Sequence, residues 1–396
     1  MTSSSSEPTQ GLGRLALKLR TQGLPWIRRR LAAEVALPTT APGKALHRAA
    51  RRAITLAASV PRALRRAGDA AADPRTLYAF YDLKVAPITF DYLWFLAGAD
   101  LERRRRGLDR VHITIVPGPH DGVRREHRDY ERVVDAEGRR ARIHNVLLPA
   151  SSLLPSCAGV TLADSRRQAA ALRAAARHVY PADYEPALPV YPSSIDCIAA
   201  ARAGERTIGV LRATEQALAD VERFLAARAG TRRVVTITLR AYRYMPARNS
   251  SLEAWAGFAR GLDARRYFPV IVPDTEQAIE GLPAELEGLT AMPEAAWNLP
   301  IRMALYQRAW LNLGVNNGPM GLCWLNERTR FVTIKMATPG VPQTTLDYMR
   351  SLGFEAGRSL PFATPYQELV WQDDTPDAIA EAFARVAARI EADSAA

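Results

Sequence analysis

From Pro74 onward the chain alternates two hydrophobic patterns. Short apolar runs give way to stretches in which apolar residues recur every three or four positions. The first pattern predicts buried strands and the second amphipathic helices. Residues 76–83, bounded by Asp-Pro before and Lys-Val-Ala-Pro after, predict a strand. Residues 88–98 predict a helix, with Phe90, Leu93, Trp94 and Ala97 at helical spacing. Residues 111–116 predict a second strand, stopped by Pro117-Gly118-Pro119. Strand, helix and strand joined by short links form a βαβ unit, which implies a parallel sheet. Residues 145–154 and 159–162 continue the alternation, and 165–178 predict an Ala/Arg-rich helix.

Residues 181–192 hold four prolines, which predicts a stiff extended linker and a domain boundary. The alternation then resumes with a helix over 214–229 capped by Thr214 and a strand over 233–239. A helix follows over 251–262, capped by Ser250 or Ser251, with Leu252, Trp255, Ala256 and Ala259 turned inward. Residues 268–272 predict a strand, 300–309 a helix, 311–315 and 331–335 strands, and 376–391 a closing helix. The organisation expected is a leader over 1–75, an α/β domain over 76–180, a linker over 181–195 and a second α/β domain over 196–396.

Charge changes the picture of the leader. Residues 1–75 carry 14 basic and four acidic side chains, so +10 of the net +12 lies there. The remaining 321 residues carry 39 basic and 37 acidic side chains and are nearly neutral. Helices are expected over 12–24, 26–35 and 44–66, with Ile27, Leu31 and Val35 on one face and arginines elsewhere. An apolar stripe flanked by arginine suits an anionic membrane surface, here through residues 12–66. A helical arm packed on its own body is the plainer alternative. Nucleic acid is disfavoured, because the leader lacks interleaved aromatics beyond Trp26 and the body shows no basic groove in its sequence. No apolar run reaches the ~18 residues of a membrane span, and no secretory signal is expected at the N-terminus. Cys157, Cys197 and Cys323 are widely spaced without a metal pattern, which favours a reducing compartment. A cytoplasmic protein, peripheral on the inner membrane face, is the expectation.

Candidate chemistry gathers where strands end, because ligands of open parallel sheets bind beyond the strands' carboxyl ends. In the first domain Asp82, Asp91 and His120 are candidates for a base, each with a plainer reading as cap or surface charge. In the second, Arg240, Arg243, Arg248 and Asn249 follow one strand and Asp274, Thr275 and Glu276 the next. Asn316, Asn317, Gly318 and Pro319 follow a third and resemble a tight turn into a helix. Asn316 and Asn317 tolerate special backbone angles there, Gly318 permits close approach of a ligand, and a helix N-terminus offers free N–H groups to an anion. Arginine suits diphosphate because its planar fork binds two oxygens and stays charged. No Asp-x-Asp pair marks a metal site, no Gly-x-Gly-x-x-Gly follows a strand, and no Gly-x-Ser-x-Gly elbow occurs.

Residues 316–320, Asn-Asn-Gly-Pro-Met, resemble the Asn-Asp-Ser-Gly-Pro-Met turn of heptosyltransferase-like families, with Asn317 directly before Gly318 in place of the Asp-Ser pair. The Leu239-Arg240 strand end and Asp274-Thr275 are similar to motifs of fucosyltransferases of the rhizobial and protein-O-fucosyl groups. Thr238-Leu239 stands where those carry a His before the Arg. The resemblance covers residues 230–340. It implies a GT-B-like fold: two Rossmann-like parallel-sheet domains, here preceded by the basic arm. It implies a metal-independent glycosyltransferase of polysaccharide biosynthesis that needs no cofactor, with a nucleotide-sugar donor and a glycan or lipid-linked acceptor. Arg240 would then neutralise the donor phosphates. Two rivals stand beside it: a non-catalytic nucleotide-sugar-binding protein of surface-polysaccharide assembly, and an interaction protein acting through its Arg-rich leader.

Overall fold

The computed structural model describes residues 73–395 and, in the leader, 42–43, 45–50 and 52–53, which are helical. The helices expected over 12–24 and 26–35, and most of that over 44–66, lie outside the described residues.

Two wholly parallel sheets carry the fold. The first comprises β1 (Thr76–Asp82), β2 (Arg110–Val116), β3 (Cys157–Leu162) and β4 (His178–Tyr180) in the order β3-β2-β1-β4. The second comprises β5 (Arg233–Thr238), β6 (Tyr267–Val272), β7 (Leu311–Val315), β8 (Phe331–Ile334) and β9 (Gln367–Leu369) in the order β6-β5-β7-β8-β9. Two Rossmann-like α/β domains, as the alternation predicted, are therefore present.

Strands of a parallel sheet are covered on both faces, so they are apolar on both. In β1, Ala79 and Tyr81 point into one core and Phe80 into another. In β5, Val235 and Ile237 pack beneath the helices Leu252–Gly261 and Pro376–Ala395, whereas Val234 joins the core under Glu215–Arg228 and Leu299–Arg308. The caps at Thr214 and Ser251 are those read from the sequence: each side chain accepts a hydrogen bond from an N–H three residues on.

Several boundaries differ from expectation, for local reasons. The first helix begins later, at Tyr92, because Thr89 and Asp91 form a turn before it. It runs on to Arg105 because Arg103 and Arg104 both bond Asp100, each at 2.9 Å, and Gly107, at φ 62°, then turns the chain away. Residues 143–151 form a π turn and a short helix. The helix expected to reach residue 178 stops at Ala175, and His178–Tyr180 becomes the edge strand β4.

The proline-rich segment is packed rather than free. Tyr184 is fully buried, stacked on Phe80 at 4.7 Å between ring centres. The helix Ser194–Arg202 then lies against Tyr92–Arg105, where a Cβ at Gly98 would meet Cys197 and Tyr180. One apolar cluster runs through both domains, joining Tyr92, Leu93 and Trp94 to Met320, Leu322, Cys323 and Trp324.

Candidate functional site

The order of the second sheet reverses between β5 and β7, so the loops after these strands diverge there and leave a crevice. The loop 239–250 lines one side and the turn 316–320 the other. The first domain's residues 89–93 abut the same crevice. A Cβ on Gly318 would lie 2.8 Å from the Phe90 ring, and one on Gly321 would lie 3.1 Å from Leu93. Gly318 is thus needed for close approach, but its neighbour is Phe90 of the first domain rather than a ligand. Neither Asn316, Asn317 nor Gly318 has a positive φ, which corrects the expectation of special angles. Asn316 Nδ2 donates to Met336 O at 2.8 Å, and Asn317 Oδ1 accepts from Met320 N–H at 3.0 Å. Gly318 and Pro319 open a three-residue 3₁₀ turn and a four-residue helix, Gly321–Trp324, so the helix N-terminus expected for an anion is a short, partly satisfied one.

Asp91 sits where the domains meet. Its carboxylate accepts from the Thr89 hydroxyl at 2.8 Å. The residue is exposed to solvent by its surface area, at the end of the turn that precedes Tyr92–Arg105. Desolvation raises its pKa above the ordinary carboxylate range, against the opposing pull of Thr89, Arg124 and Arg248. Arg124 comes from the first domain and Arg248 from the second. Both act on its charge without forming a direct ion pair among the described residues. Tyr348 faces the same charges and is itself raised by burial and by Asp91. A solvent-reachable carboxyl with raised pKa, faced by two guanidinium groups, can take a proton and steer an anion.

Arg240 performs a different task from the one its sequence position suggests. Its guanidinium donates to the carbonyls of Tyr244 (2.6 Å) and Met245 (3.1 Å) and to Asn249 Oδ1. Met245 stands at φ 58°, a left-handed conformation rare for a side-chain-bearing residue, and Arg240 grips its carbonyl. Burial and the nearby Arg248 lower the Arg240 pKa to about 10. Asn249 completes the fastening, accepting from Tyr242 N–H at 3.1 Å and donating to Tyr242 O at 3.2 Å. This internal network leaves Arg248 facing the crevice, where Nη2 donates to Asn316 O at 3.2 Å. Burial lowers the Arg248 pKa, with Asp91 opposing.

The cluster after β6 is built as a cap. Asp274 accepts from Thr275 N–H (2.7 Å) and from Ala241 N–H (2.9 Å), tying the helix Thr275–Glu280 to the Arg240 loop. Glu276 pairs with the exposed Arg243 at 3.1 Å, and Thr275 is exposed beside them. Asp82 lies deeper: 1 % exposed, it accepts both prongs of Arg166 (2.8 and 2.9 Å) and the Tyr184 hydroxyl (2.7 Å). His120 is exposed on the hairpin after β2, which turns through Asp121 and Gly122 at positive φ. The structure therefore brings Asp91, Arg248 and the 316–318 turn together, with Arg243, Thr275 and Glu276 on the second domain's rim. Asp82 is held in its own buried network.

Sequence reasoning missed a contact between the domains. Arg142 donates to the hydroxyls of Tyr130 (2.7 Å) and Tyr242 (2.8 Å). The Tyr130 and Tyr244 rings meet edge to face at 5.1 Å. Tyr130 and Arg142 lie on short polar helices, Arg128–Glu131 and Ala136–Arg142, whose pattern carries no signal of a partner more than a hundred residues away. Tyr348 was likewise unmarked. Among the described residues no group of three or more His, Cys, Asp or Glu side chains is placed to hold a metal.

No family model matches the chain, and no curated protein matches it in sequence. Solved structures do resemble it. A glycosyl transferase family 9 protein from Veillonella parvula is 10% identical, with 80% of this chain and 98% of that one covered and a TM-score of 0.48. The E. coli ADP-heptose lps heptosyltransferase II is 11% identical, covering 80% and 99%, with a TM-score of 0.44. The fucosyltransferase NodZ from Bradyrhizobium is 11% identical, covering 64% and 94%, with a TM-score of 0.30.

Proposed function

We propose that this chain is a glycosyltransferase that moves a sugar from a nucleotide-sugar donor to a glycan or lipid-linked acceptor. The observation that carries the reading is the meeting of Asp91 and Arg124 from the first domain with Arg248, bonded to the 316–318 turn, at the second sheet's switch point. The acceptor hydroxyl oxygen would attack the anomeric carbon while Asp91 takes its proton. The bond from that carbon to the donor phosphate breaks, and the charge left on the nucleoside diphosphate is met by Arg248. Such a direct displacement inverts the anomeric carbon. The turn Asn316–Asn317–Gly318–Pro319 forms the floor, and Thr275, Arg243 and Glu276 offer partners to ribose or sugar hydroxyls. Arg240, Asn249 and Asp274 hold the loop that presents Arg248. Residues 12–66 would seat the enzyme on an anionic cytoplasmic membrane face, near a lipid-linked acceptor.

The test is a thermal-shift series on the full chain with nucleoside diphosphates and their sugars. A ligand that binds only the folded state raises the melting temperature by mass action. One nucleotide is expected to stabilise the protein, and Arg248→Gln to remove that shift. Asp91→Asn should keep it while sugar transfer is lost. Absence of any shift in the folded wild type would overturn the donor site. A second reading is favoured by the internal use of Arg240, which leaves one fewer free cation for catalysis. It is a nucleotide-sugar-binding protein without turnover, and retained binding with no release of sugar or nucleotide would support it.

A further inference from the structure

At the opposite, amino-terminal edge of the second sheet lies an open depression of about 390 Å³. Arg232, Arg233, Arg308, Arg328 and Arg330 line it, around Trp310. These arginines come from three separate stretches of a nearly neutral body, and the parallel crossovers bring them to one edge. The expectation that the body lacks a basic groove is thereby corrected. Two carboxylates reach the cluster: Glu391 pairs with Arg233, and Glu222 pairs with Arg308. Among the described residues none pairs with Arg328 or Arg330. Three guanidinium faces lie against rings instead: Arg232 on Phe268 at 4.6 Å, Arg233 on Trp310 at 4.9 Å and Arg330 on Tyr366 at 5.5 Å. Stacking fixes the plane of each guanidinium. Arg232 donates Nε and Nη2 to the carbonyls of Ala229 and Arg228, and Arg233 donates to Glu391, so the N–H edges open to an oxygen anion are chiefly those of Arg328 and Arg330.

Glu391 and Glu222 meet two of the five charges, and the surplus on Arg232, Arg328 and Arg330 makes a concave cationic surface that concentrates anions. We propose that this basin binds a phosphate group, supplied either by a free phosphate compound or by a lipid headgroup. Phosphate fits because its oxygens accept paired N–H bonds from arginine forks. The basin is separate from the crevice at the carboxyl edge, so this inference stands or falls independently of sugar transfer.

The test is arginine-specific labelling of the full chain with phenylglyoxal, read residue by residue by mass spectrometry. It is run alone, with inorganic pyrophosphate, with phosphatidylglycerol vesicles and with neutral phosphatidylcholine vesicles. Slowed labelling at Arg308, Arg328 and Arg330 is expected with one of the anionic probes, with the exposed Arg223 and Arg350 unchanged. Protection by pyrophosphate identifies a free phosphate ligand, and protection by anionic vesicles alone identifies a headgroup. In the variant carrying Arg328→Gln and Arg330→Gln, the probe concentration that protects Arg308 should rise roughly tenfold or more. Labelling unaffected by both anionic probes, equal protection at Arg223 and Arg350, or an unchanged requirement in the double variant would overturn the proposal.

Discussion

Gly318→Ala probes the join between the domains most directly. An added Cβ would stand 2.8, 2.9 and 3.0 Å from three carbons of Phe90. Carbon atoms in good contact lie ~3.5–4.0 Å apart, so Phe90 or the turn must retreat by roughly 0.7 Å. Overpacking of this kind costs about 1–3 kcal/mol. The upper part of that range applies here, because one of the three carbons is Phe90 Cβ, which no ring rotation can move, so the backbone of one segment must shift. The displacement falls between Asp91, which follows Phe90, and the 316–318 turn. A shift near 1 Å in a reacting geometry can cost about a hundredfold in rate, so transfer should fall by an amount comparable with the loss of stability. The assay is a double-mutant cycle by urea unfolding with Gly318→Ala, Phe90→Ala and the pair. Contacting residues couple by about 0.5–3 kcal/mol, and the cost of the alanine at 318 should fall once the Phe90 ring is trimmed, the retained Cβ of Ala keeping part of it. Additivity within about 0.3 kcal/mol would show that the two residues do not touch, and would refute the close approach of the domains.

Two further substitutions separate function from architecture. Asp91 holds a proton more readily folded than unfolded, so its favourable contribution to stability is complete below the unfolded pKa and is lost as pH rises through the folded value. Asp91→Asn should therefore gain stability relative to wild type from about pH 4 upward, while transfer falls about 10²–10⁴-fold; parallel melting curves and rates against pH check both, and a variant that loses stability toward neutral pH would contradict the sign. Asp374 is 3 % exposed and accepts from Ser251 N–H (2.7 Å), Trp255 Nε1 (2.9 Å) and Lys335 Nζ (3.0 Å). Asp374→Ala strands the indole N–H and leaves Lys335 to Asp373 and Asn249 O, and should cost about 1–3 kcal/mol, whereas Asp373→Ala, at the exposed partner, should cost about 0–1 kcal/mol by denaturant unfolding.

The sequence reading succeeded where each residue's role is set by near neighbours. The apolar runs at 76–83, 111–116, 233–239, 268–272 and 331–335 are long enough to declare themselves, and Thr214 and Ser251 bond to N–H groups three residues away. β4 and β9 have three residues each and owe their pairing to the strand beside them, so no pattern of their own announces them. At the site, the strand-end position of Arg240 was visible, but its use was not. A guanidinium that could grip a phosphate grips Tyr244 and Met245 carbonyls, and only the path of the returning chain decides between these. Asp91 was legible as a candidate, while its raised pKa comes from surroundings assembled out of both domains. The arginine basin was hidden for the same reason, because its members lie up to about a hundred residues apart in the sequence.

The bridge of Arg142 to Tyr130 and Tyr242, with Tyr244 against Tyr130, spans the crevice at one end. Any hinge motion that widens the crevice there must break the Arg142–Tyr242 hydrogen bond, worth about 1 kcal/mol, and the Tyr130–Tyr244 ring contact, worth about 0.5–1.5 kcal/mol. A cost near 2 kcal/mol leaves the widened form at roughly 4% of the population, since each 1.4 kcal/mol is tenfold. A bulky ligand that needs that form would meet an effective affinity reduced by the same fraction. Its departure would wait on the same rare opening, so the side chains that close the crevice would also set how long a product stays within it.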